Sequence, residues 1–244
     1  MKVKSMANRY SRQIMIPQIG AEGQEKLARS SVLVVGAGGL GSPALTCLAL
    51  AGVGRLCLVD SDTVAESNLN RQFLHNSSDI GRPKAESAKE KLSLLNNEIE
   101  IIANAEHLTS QNAEKLFTGY DIVLGAVDSF ETRFVINKAC ISLNIPYIDG
   151  GVNDFSGCVL FSFPPRTPCL NCIYPETTAN ANNVGVIGTV TSVIGAIEAN
   201  IALLRLLGLP NPIDNKLLLY DSLRMGIDFI EIKRNENCPI CGKK

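Results

Sequence analysis

A short apolar strand that runs into a glycine-rich turn and then a helix constrains this chain more than any other feature. Residues 31–35 are apolar or small, and Gly36, Gly38 and Gly41 follow in the pattern G-x-G-x-x-G, with Gly39 between them. Backbone N–H groups at a helix N-terminus bind phosphate oxygens, and glycine lets a ligand approach the chain closely. The turn therefore predicts a nucleotide site and, taken alone, favours a dinucleotide-dependent dehydrogenase. The alternative is a tight turn without a ligand.

Strands and helices alternate through the first part of the chain. Strands are predicted over residues 31–35, 55–59, 99–103, 121–124 and 146–148, and helices over residues 84–96, 110–117 and 131–143 and from the glycine turn to Ala51. This alternation predicts an α/β, Rossmann-like fold with a mostly parallel sheet and helices on both faces.

The pattern changes after Gly150. An isolated strand is expected over residues 157–163, then a polar loop over 175–188 that we expect to be mobile, and then a long apolar helix over 189–207. Two further strands, over 216–220 and 226–233, predict a closing antiparallel hairpin. We expect one domain over 1–244, with a nucleotide-binding half (9–150) and a second half (151–244).

Composition excludes several classes of protein. With 45% hydrophobic and 19% charged residues in 244, the chain has enough apolar material for a core and is not a disordered protein. A net charge of −1 argues against a nucleic-acid binder that works through bulk charge. No uninterrupted apolar run has the length of a membrane span, and the N-terminus, which starts at Met1 or Met6, has no apolar signal region. We therefore expect a cytoplasmic protein.

Charged residues after the glycine turn favour a different nucleotide from the dehydrogenase default. Asp60 ends the second strand, where a carboxylate can bind a ribose hydroxyl. Arg71 follows the sequence Ser67-Asn68-Leu69-Asn70, and Lys84 lies in the first turn of a helix. A cation there opposes the helix dipole but would suit a polyphosphate, which a planar guanidinium could also clamp. The alternative for Lys84 is a solvated surface helix.

A further carboxylate follows the fourth predicted strand. Asp128, next to Ser129, would lie at the carboxyl edge of a parallel sheet, where ligands collect. It could hold Mg²⁺ that bridges phosphates, because Mg²⁺ takes few carboxylates together with substrate oxygens. Asp128 could also serve, instead or in addition, as the N-cap of the next helix.

Two C-x-x-C pairs predict a metal site. Four cysteines with this spacing match a closed tetrahedral zinc site of structural type, which would staple the tail of the chain to the segment after the sheet: Cys169, Cys172, Cys238 and Cys241. A redox role is the alternative. The other four cysteines fall in apolar segments and are expected to behave as buried small hydrophobes: Cys47, Cys57, Cys140 and Cys158.

Taken together, these motifs resemble those of the ThiF/MoeB/HesA family, the bacterial relatives of ubiquitin-activating enzymes. The resemblance runs from about Arg9 to Gly242 and includes Arg9-Tyr-Ser-Arg12-Gln-Ile, the glycine turn, Ala51-Gly-Val-Gly, Asp60, Ser67-Asn-Leu-Asn-Arg71-Gln, Gly81-Arg-Pro-Lys84, Asp128 and both C-x-x-C pairs. Such enzymes use Mg-ATP to adenylate the C-terminal glycine of a ubiquitin-fold sulfur carrier that ends in Gly-Gly, and they release pyrophosphate. The product is then sulfurated for thiamin, molybdopterin or related products.

The resemblance implies a role for each matching residue. Gly39 would lie against the nucleotide and Asp60 would bind the ribose. Asn68, Arg71 and Lys84 would contact phosphates, and Asp128 would hold magnesium. Arg12 would reach the site of a second subunit, which implies a homodimer. The four paired cysteines match the family's zinc ligands.

The sequence also departs from the family pattern. No cysteine lies between Cys172 and Cys238, where some relatives carry one; Ala181 stands near that place. We therefore expect adenylation only, with sulfur supplied by a sulfurtransferase or a cysteine desulfurase. Because the sequence ends at Lys244, we expect no rhodanese domain of the kind fused to some relatives, and Ser129 replaces a common Asn. The remaining alternatives are adenylation of a peptide or a tRNA base, a non-catalytic nucleotide-binding protein, and a nicotinamide-dependent oxidoreductase.

Overall fold

A computed structural model describes residues 9–178 and 185–242. Its described residues form an eight-stranded sheet in the order β3-β2-β1-β4-β5-β6-β7-β8. The strands are β1 Ser31–Val35, β2 Arg55–Val59, β3 Glu100–Asn104, β4 Ile122–Gly125, β5 Tyr147–Asn153, β6 Ser156–Ser162, β7 Lys216–Asp221 and β8 Gly226–Glu231.

Eight α-helices and two 3₁₀ turns in the described residues cover or connect the strands. The helices are α1 Ser11–Ile14, α2 Gly20–Arg29, α3 Gly41–Ala51, α4 Lys84–Leu95, α5 Ala113–Phe117, α6 Phe130–Leu143, α7 Leu170–Ile173 and α8 Gly188–Leu207. The 3₁₀ turns are Glu66–Asn68 and Ser77–Asp79.

Strand β1 lies at the centre of the core. Val32 and Val34 belong to one apolar cluster, and Leu33 and Val35 belong to a second cluster on the opposite face of the sheet. Successive side chains of a strand point to opposite faces, so a strand buried on both sides reads as a continuous apolar run. The predicted α/β fold with helices on both faces is confirmed.

The order in which strands are added to the sheet reverses at β1, because β2 and β3 lie on one side of it and β4 to β8 lie on the other. Strand β1 pairs in parallel with β2 on one side and with β4 on the other. The four pairs from β3 to β5 are parallel, and the three from β5 to β8 are antiparallel. In open α/β sheets a ligand crevice forms at such a switch point, beyond the carboxyl ends of the strands. The glycine turn after β1 and Asp128 after β4 both lie there.

The prediction of an isolated strand after Gly150 is wrong. Strand β6 pairs with both β5 and β7, and β5 continues to Asn153 instead of ending near residue 148. The pattern change after Gly150 predicted that β5 ends there, but glycine is required at position 150 inside the strand: a Cβ there would lie 2.5 Å from Cδ of Glu198. The predicted closing hairpin of β7 and β8 is antiparallel, as expected.

Helix α8 is the one described helix long and apolar enough to cross a membrane by length and composition. The long apolar helix predicted over 189–207 is thus confirmed, and it is not an uninterrupted apolar run because Thr191 and Glu198 lie within it. Half of its most apolar window is buried within the fold, where it packs against α3, β5 and β6. We interpret α8 as a core helix, because its buried face includes Glu198, which lies against the sheet.

The predicted mobile loop lies partly outside the described residues, which omit 179–184. On its two sides the chain is ordered by backbone contacts: Thr178 N–H donates to the Pro175 carbonyl over 2.9 Å, and Val186 pairs with Asp154. The expected mobility therefore remains a prediction.

Candidate nucleotide and metal sites

The glycines of the turn fall into two groups with different reasons for being glycine. Gly36 has φ +98°, and a Cβ there would lie 2.4 Å from the Ala126 carbonyl oxygen. A Cβ on Gly41 would lie 1.9 Å from the Gly36 carbonyl oxygen. The fold itself therefore excludes side chains at both positions. A Cβ on Gly38 would make only an ordinary 3.5 Å contact with Gln72, so packing does not require glycine there.

The side chain of Arg71 lies directly beside the glycine turn. A Cβ on Gly39 would lie 3.5 Å from Cδ of Arg71 and 3.1 Å from Cγ2 of Thr191. Arg71 Nη1 donates to the Ser67 carbonyl (3.0 Å) and to Oδ1 of Asn70 (2.9 Å). The structure thus brings the predicted cation to the helix N-terminus that the glycines open, where anions are favoured.

The segment before Arg71 is organised by its own polar groups. Oδ1 of Asn68 accepts a hydrogen bond from Ala65 N–H (3.0 Å) at the start of a 3₁₀ turn. The N-terminus of α8 packs against this segment, because a Cβ on Gly188 would lie 2.7 Å from the Asn70 carbonyl oxygen. Ser67, Asn68, Leu69 and Asn70 therefore form a short platform next to the turn.

Asp60 is fixed by two backbone amides. Its Oδ2 accepts from Ala37 N–H over 2.7 Å and its Oδ1 accepts from Asp62 N–H over 2.9 Å. The carboxylate therefore holds the glycine turn against the end of β2. Each oxygen keeps a second lone pair for a ligand hydroxyl.

Lys84 has a partner that the sequence did not reveal. Its Nζ donates to Oδ2 of Asp62 over 2.8 Å, and its side chain is 7% exposed. The alternative of a solvated surface lysine is wrong. The ion pair with Asp62 gives Lys84 a structural role that the sequence did not indicate, and its contact with a polyphosphate stays a prediction.

Asp128 is exposed beyond the end of β4, on the same edge as the glycine turn. The N-cap of α6 is Ser129, whose Oγ accepts from Thr132 N–H over 3.2 Å. The alternative role of Asp128 as the helix N-cap is therefore wrong. Its carboxylate remains available for a cation.

Arg12 does not join the other predicted site residues within this chain. It is an exposed residue of α1, and its neighbour Gln13 donates to the Ala51 carbonyl at the far end of α3. The glycine turn is at the opposite end of that helix, about 15 Å away at 1.5 Å per residue. Tyr10, which directly precedes α1 in the N-terminal arm of the chain, accepts a hydrogen bond at its hydroxyl from Asn96 Nδ2 over 2.8 Å.

Two buried polar residues beside the turn were missed by sequence reasoning. His75 is 5% exposed and its Nε2 lies 3.1 Å from the Ala37 carbonyl oxygen. Gln72, also 5% exposed, lies against Gly38. The sequence offers little signal for them: Gln72 directly follows Arg71, and His75 comes three residues later, after Phe73 and Leu74.

A second buried cluster lies at the start of β5. Arg133 donates through Nε to Oδ1 of Asp149 (2.8 Å) and through Nη2 to Oδ2, and Tyr147 donates to the same carboxylate. Burial, and then the charge of Asp149, raise the pKa of Glu198 well above its ordinary range. The raised pKa favours the neutral form of this buried carboxyl group.

The four paired cysteines converge. Their sulfur atoms all lie within 4.8 Å of one another. The Sγ–Sγ distances are 3.8 Å for Cys169–Cys172, 3.7 Å for Cys169–Cys238 and 3.5 Å for Cys172–Cys241. Tetrahedral zinc with Zn–S bonds of about 2.3 Å separates its sulfur ligands by about 3.8 Å, so the donor set fits this ion. The cluster ties α7 to the tail, as the predicted staple requires.

The other four cysteines agree in part with the expectation of burial. Cys57 and Cys140 are buried, whereas Cys47 and Cys158 are half-buried. Burial raises the pKa of all four thiols, so they are poor nucleophiles at neutral pH.

Comparison with known proteins agrees with this geometry. Residues 10–240 match the ThiF family. The chain is 41% identical to the sulfur carrier protein adenylyltransferase of Thermus thermophilus, covering 98% of this chain and 92% of that protein. It is 38% identical to the SAMP-activating enzyme E1 of Haloferax volcanii, covering 97% and 89%.

Solved structures show the same fold. The crystal structure of E. coli MccB with ATP superposes with a TM-score of 0.86 at 26% identity, over 96% of this chain and 75% of that one. The family match spans nearly every residue of the sheet, the glycine turn and the cysteine cluster. On these grounds, this chain belongs to the ThiF family.

Proposed function

We propose that the chain uses Mg-ATP to adenylate the C-terminal glycine carboxylate of a ubiquitin-fold sulfur carrier and releases pyrophosphate. The names of the Thermus and Haloferax relatives, an adenylyltransferase and an activating enzyme, support this class of reaction. The observation that carries the proposal is the position of Arg71 against Gly39 at the N-terminus of α3. A pyrophosphate held on backbone amides alone would not need that cation.

Each residue at the switch point has a proposed role. The amides of Gly38 and Gly39 face the phosphates, and Asp60 binds the ribose. Arg71 and Lys84 neutralise phosphate charge, with Asn68 beside them. Ser67, Leu69 and Asn70 of the platform and Ser129 at the helix cap would lie around the nucleotide. Asp128 would hold Mg²⁺, which would supply further positive charge to the phosphates.

Charge and positioning account for the chemistry. A carboxylate oxygen of the carrier forms a bond to the α-phosphorus of ATP while the bond from that phosphorus to the pyrophosphate oxygen breaks. The nucleophile is already an anion, so no general base is required. Repulsion between two anions is the main barrier, and preorganised cations lower it. Arg71 and Lys84 act by this means.

The proposed site requires a second subunit. Arg12 lies far from the glycine turn of its own chain, and α1 is held at that place by Gln13 and Tyr10. In a homodimer, the arm of one subunit would bring Arg12 to the phosphates of the other. A homodimer with shared sites is therefore part of the proposal.

The carrier would dock on the second half of the chain, over residues 151–244. Strand β8 is the edge strand of the sheet, and the hairpin exposes Leu223 (75%), Met225 (79%) and Phe229 (51%). Exposed apolar side chains grouped on an open edge mark an interaction surface. The cysteine cluster, with zinc bound, would stabilise this half without taking part in the reaction, because four thiolates leave no open coordination position.

Sulfur transfer is assigned to another protein. The sequence holds no cysteine between Cys172 and Cys238, so a covalent intermediate with the carrier on that loop is not available. A sulfurtransferase or cysteine desulfurase would attack the acyl-adenylate. We expect these steps in the cytoplasm, where the thiols remain reduced.

ATP–pyrophosphate exchange tests the proposal. Purified protein with Mg²⁺ is assayed with a ubiquitin-fold carrier that ends in Gly-Gly, with the same carrier lacking this tail, and with the Arg71→Ala variant. Exchange that depends on the tail and is lost in the variant is the expected result. Exchange that requires a peptide or a tRNA instead would assign another substrate. If the protein does not bind ATP, the nicotinamide-dependent oxidoreductase becomes the favoured alternative.

A further inference from the structure

His75 connects the glycine turn to α4. Its Nε2 lies 3.1 Å from the Ala37 carbonyl oxygen, and its Nδ1 lies 2.9 Å from Oγ of Ser87. The ring is 5% exposed and Ser87 is fully buried. Both ring nitrogens therefore have protein partners inside the core.

These partners fix the position of the proton on the ring. A carbonyl oxygen can only accept, so Nε2 must carry the hydrogen. In the neutral ring Nδ1 then accepts from the Ser87 hydroxyl. Ser87 Oγ in turn accepts from Nζ of Lys91 over 3.2 Å, which leaves its own hydrogen free to point at the histidine.

The environment favours the neutral ring. Burial lowers the pKa of His75, and the charge of Lys84 lowers it further, whereas Asp79, Asp60 and the Ala37 carbonyl act in the opposite direction. The ammonium of Lys91 is linked to the ring by a hydrogen bond to Ser87, the partner of Nδ1.

The peptide that His75 holds is the one that presents the Gly38 amide. In a trans peptide the C=O of Ala37 and the N–H of Gly38 point in opposite directions. Because the carbonyl points at His75, the Gly38 N–H points away from it. Gly38 is half-exposed, which leaves room for a ligand on the side of the turn away from His75. Asp60 fixes the preceding peptide through Ala37 N–H.

We propose that His75 is a positioning residue that keeps the Gly38 amide aimed at a nucleotide phosphate. Glycine at 38 imposes no steric barrier to a flip of the Ala37–Gly38 peptide, and a flip would turn a carbonyl oxygen toward the phosphate. The hydrogen bond from Nε2 opposes that flip. The inference rests on the proposed function, since it takes ATP as the ligand of the turn.

Two substitutions separate this role from packing. His75→Phe keeps a ring but has no donor, whereas His75→Gln can place an N–H near the position of Nε2. The dissociation constants for Mg-ATP and for adenosine are measured by calorimetry for both variants and for the unmodified protein. His75→Phe should weaken ATP binding on the order of 10- to 100-fold, the value of one charge-assisted hydrogen bond. Adenosine binding should stay unchanged, and His75→Gln should restore most of the ATP affinity.

The tautomer gives a second measurement that does not require a variant at position 75 to fold. The chain has two histidines, so long-range ¹H–¹⁵N spectra of ¹⁵N-histidine-labelled protein contain two rings, and His107→Gln assigns them. The His75 ring should carry its proton on Nε2, with Nδ1 unprotonated at pH 7.

Several results would overturn the inference: a proton on Nδ1, an equal loss of ATP and adenosine binding in His75→Phe, unchanged ATP binding, or no recovery in His75→Gln. If the unmodified protein binds ATP without pyrophosphate exchange, the proposed function fails while these measurements still decide the role of His75. If it does not bind ATP, both fail.

Discussion

The ammonium of Lys84 lies 2.8 Å from Oδ2 of Asp62, with the lysine side chain buried and the aspartate side chain 69% exposed. Asp62 N–H in turn donates to Asp60, so the pair is linked to the proposed ribose site. One lysine thus has both a structural partner and a position from which it could meet phosphate.

The two roles of Lys84 can be separated by substitution. Lys84→Ala should lower the rate of pyrophosphate exchange on the order of 10²–10³-fold, the loss typical for one preorganised donor. Asp62→Asn keeps the lysine in place and should cost much less. Equal losses in the two variants would mean that Lys84 serves only the ion pair. Thermal unfolding of both proteins controls for stability.

Substitutions at Gly41 and at Gly38 should have opposite effects on stability and on ATP binding. Gly41→Ala would place a Cβ 1.9 Å from the Gly36 carbonyl oxygen, so it should destabilise the fold by more than the ~1–3 kcal/mol of ordinary overpacking. Gly38→Ala meets nothing closer than 3.5 Å and should leave the unfolding free energy almost unchanged while it weakens ATP binding. Chemical denaturation and calorimetry measure the two quantities. A Gly38→Ala variant that binds ATP normally would contradict close approach of the nucleotide.

Arg12 predicts complementation between inactive variants. Arg12→Ala and Arg71→Ala should each abolish exchange, but a mixture that exchanges subunits should regain activity. Half of the dimers in an equal mixture are mixed, and one of their two sites is complete, so about a quarter of the original activity is expected. A mixture that stays inactive after verified subunit exchange would place Arg12 outside the partner's site.

The cysteine cluster predicts bound zinc with a structural role. Elemental analysis should find about one zinc per chain, and Cys238→Ser should lose it and lower the unfolding temperature. Cys47→Ser, in α3 and outside the cluster, is the matched control and should keep the metal. Because the site is closed, protein that stays folded after chelation should retain exchange activity. Loss of activity without loss of structure would contradict the structural role.

Local sequence signals predicted the first half of the fold well. The limits of β1, the end of α3 and the limits of β2 agree with the structure, because an apolar run, a glycine turn and a polar stop define each of them. The β5–β6 pairing was missed because the pattern changes after Gly150. The structure shows that glycine is needed at this position because the carboxyl group of Glu198, distant in sequence, occupies the space of a side chain.

The sequence indicates which residue types could form a nucleotide site, and the structure adds their contacts; their roles toward a ligand stay predictions. The order of strands alone places Asp60 and Asp128 at the carboxyl edge, whereas only the structure shows that Arg71 lies beside Gly39. The partner of Lys84, the cap at Ser129 and the contacts of His75 depend on side-chain directions that no spacing rule supplies. These contacts give Lys84 and Ser129 structural roles that the motif alone did not reveal.

The identity of the group transferred from ATP tests the account most directly. A ubiquitin-fold carrier ending in Gly-Gly is incubated with the protein, Mg-ATP and pyrophosphatase, and its intact mass is recorded with and without Arg71→Ala. We predict a gain of one AMP on the carrier and none with the variant. A gain of phosphate instead, or no gain while ATP is consumed, would contradict adenylation at this site.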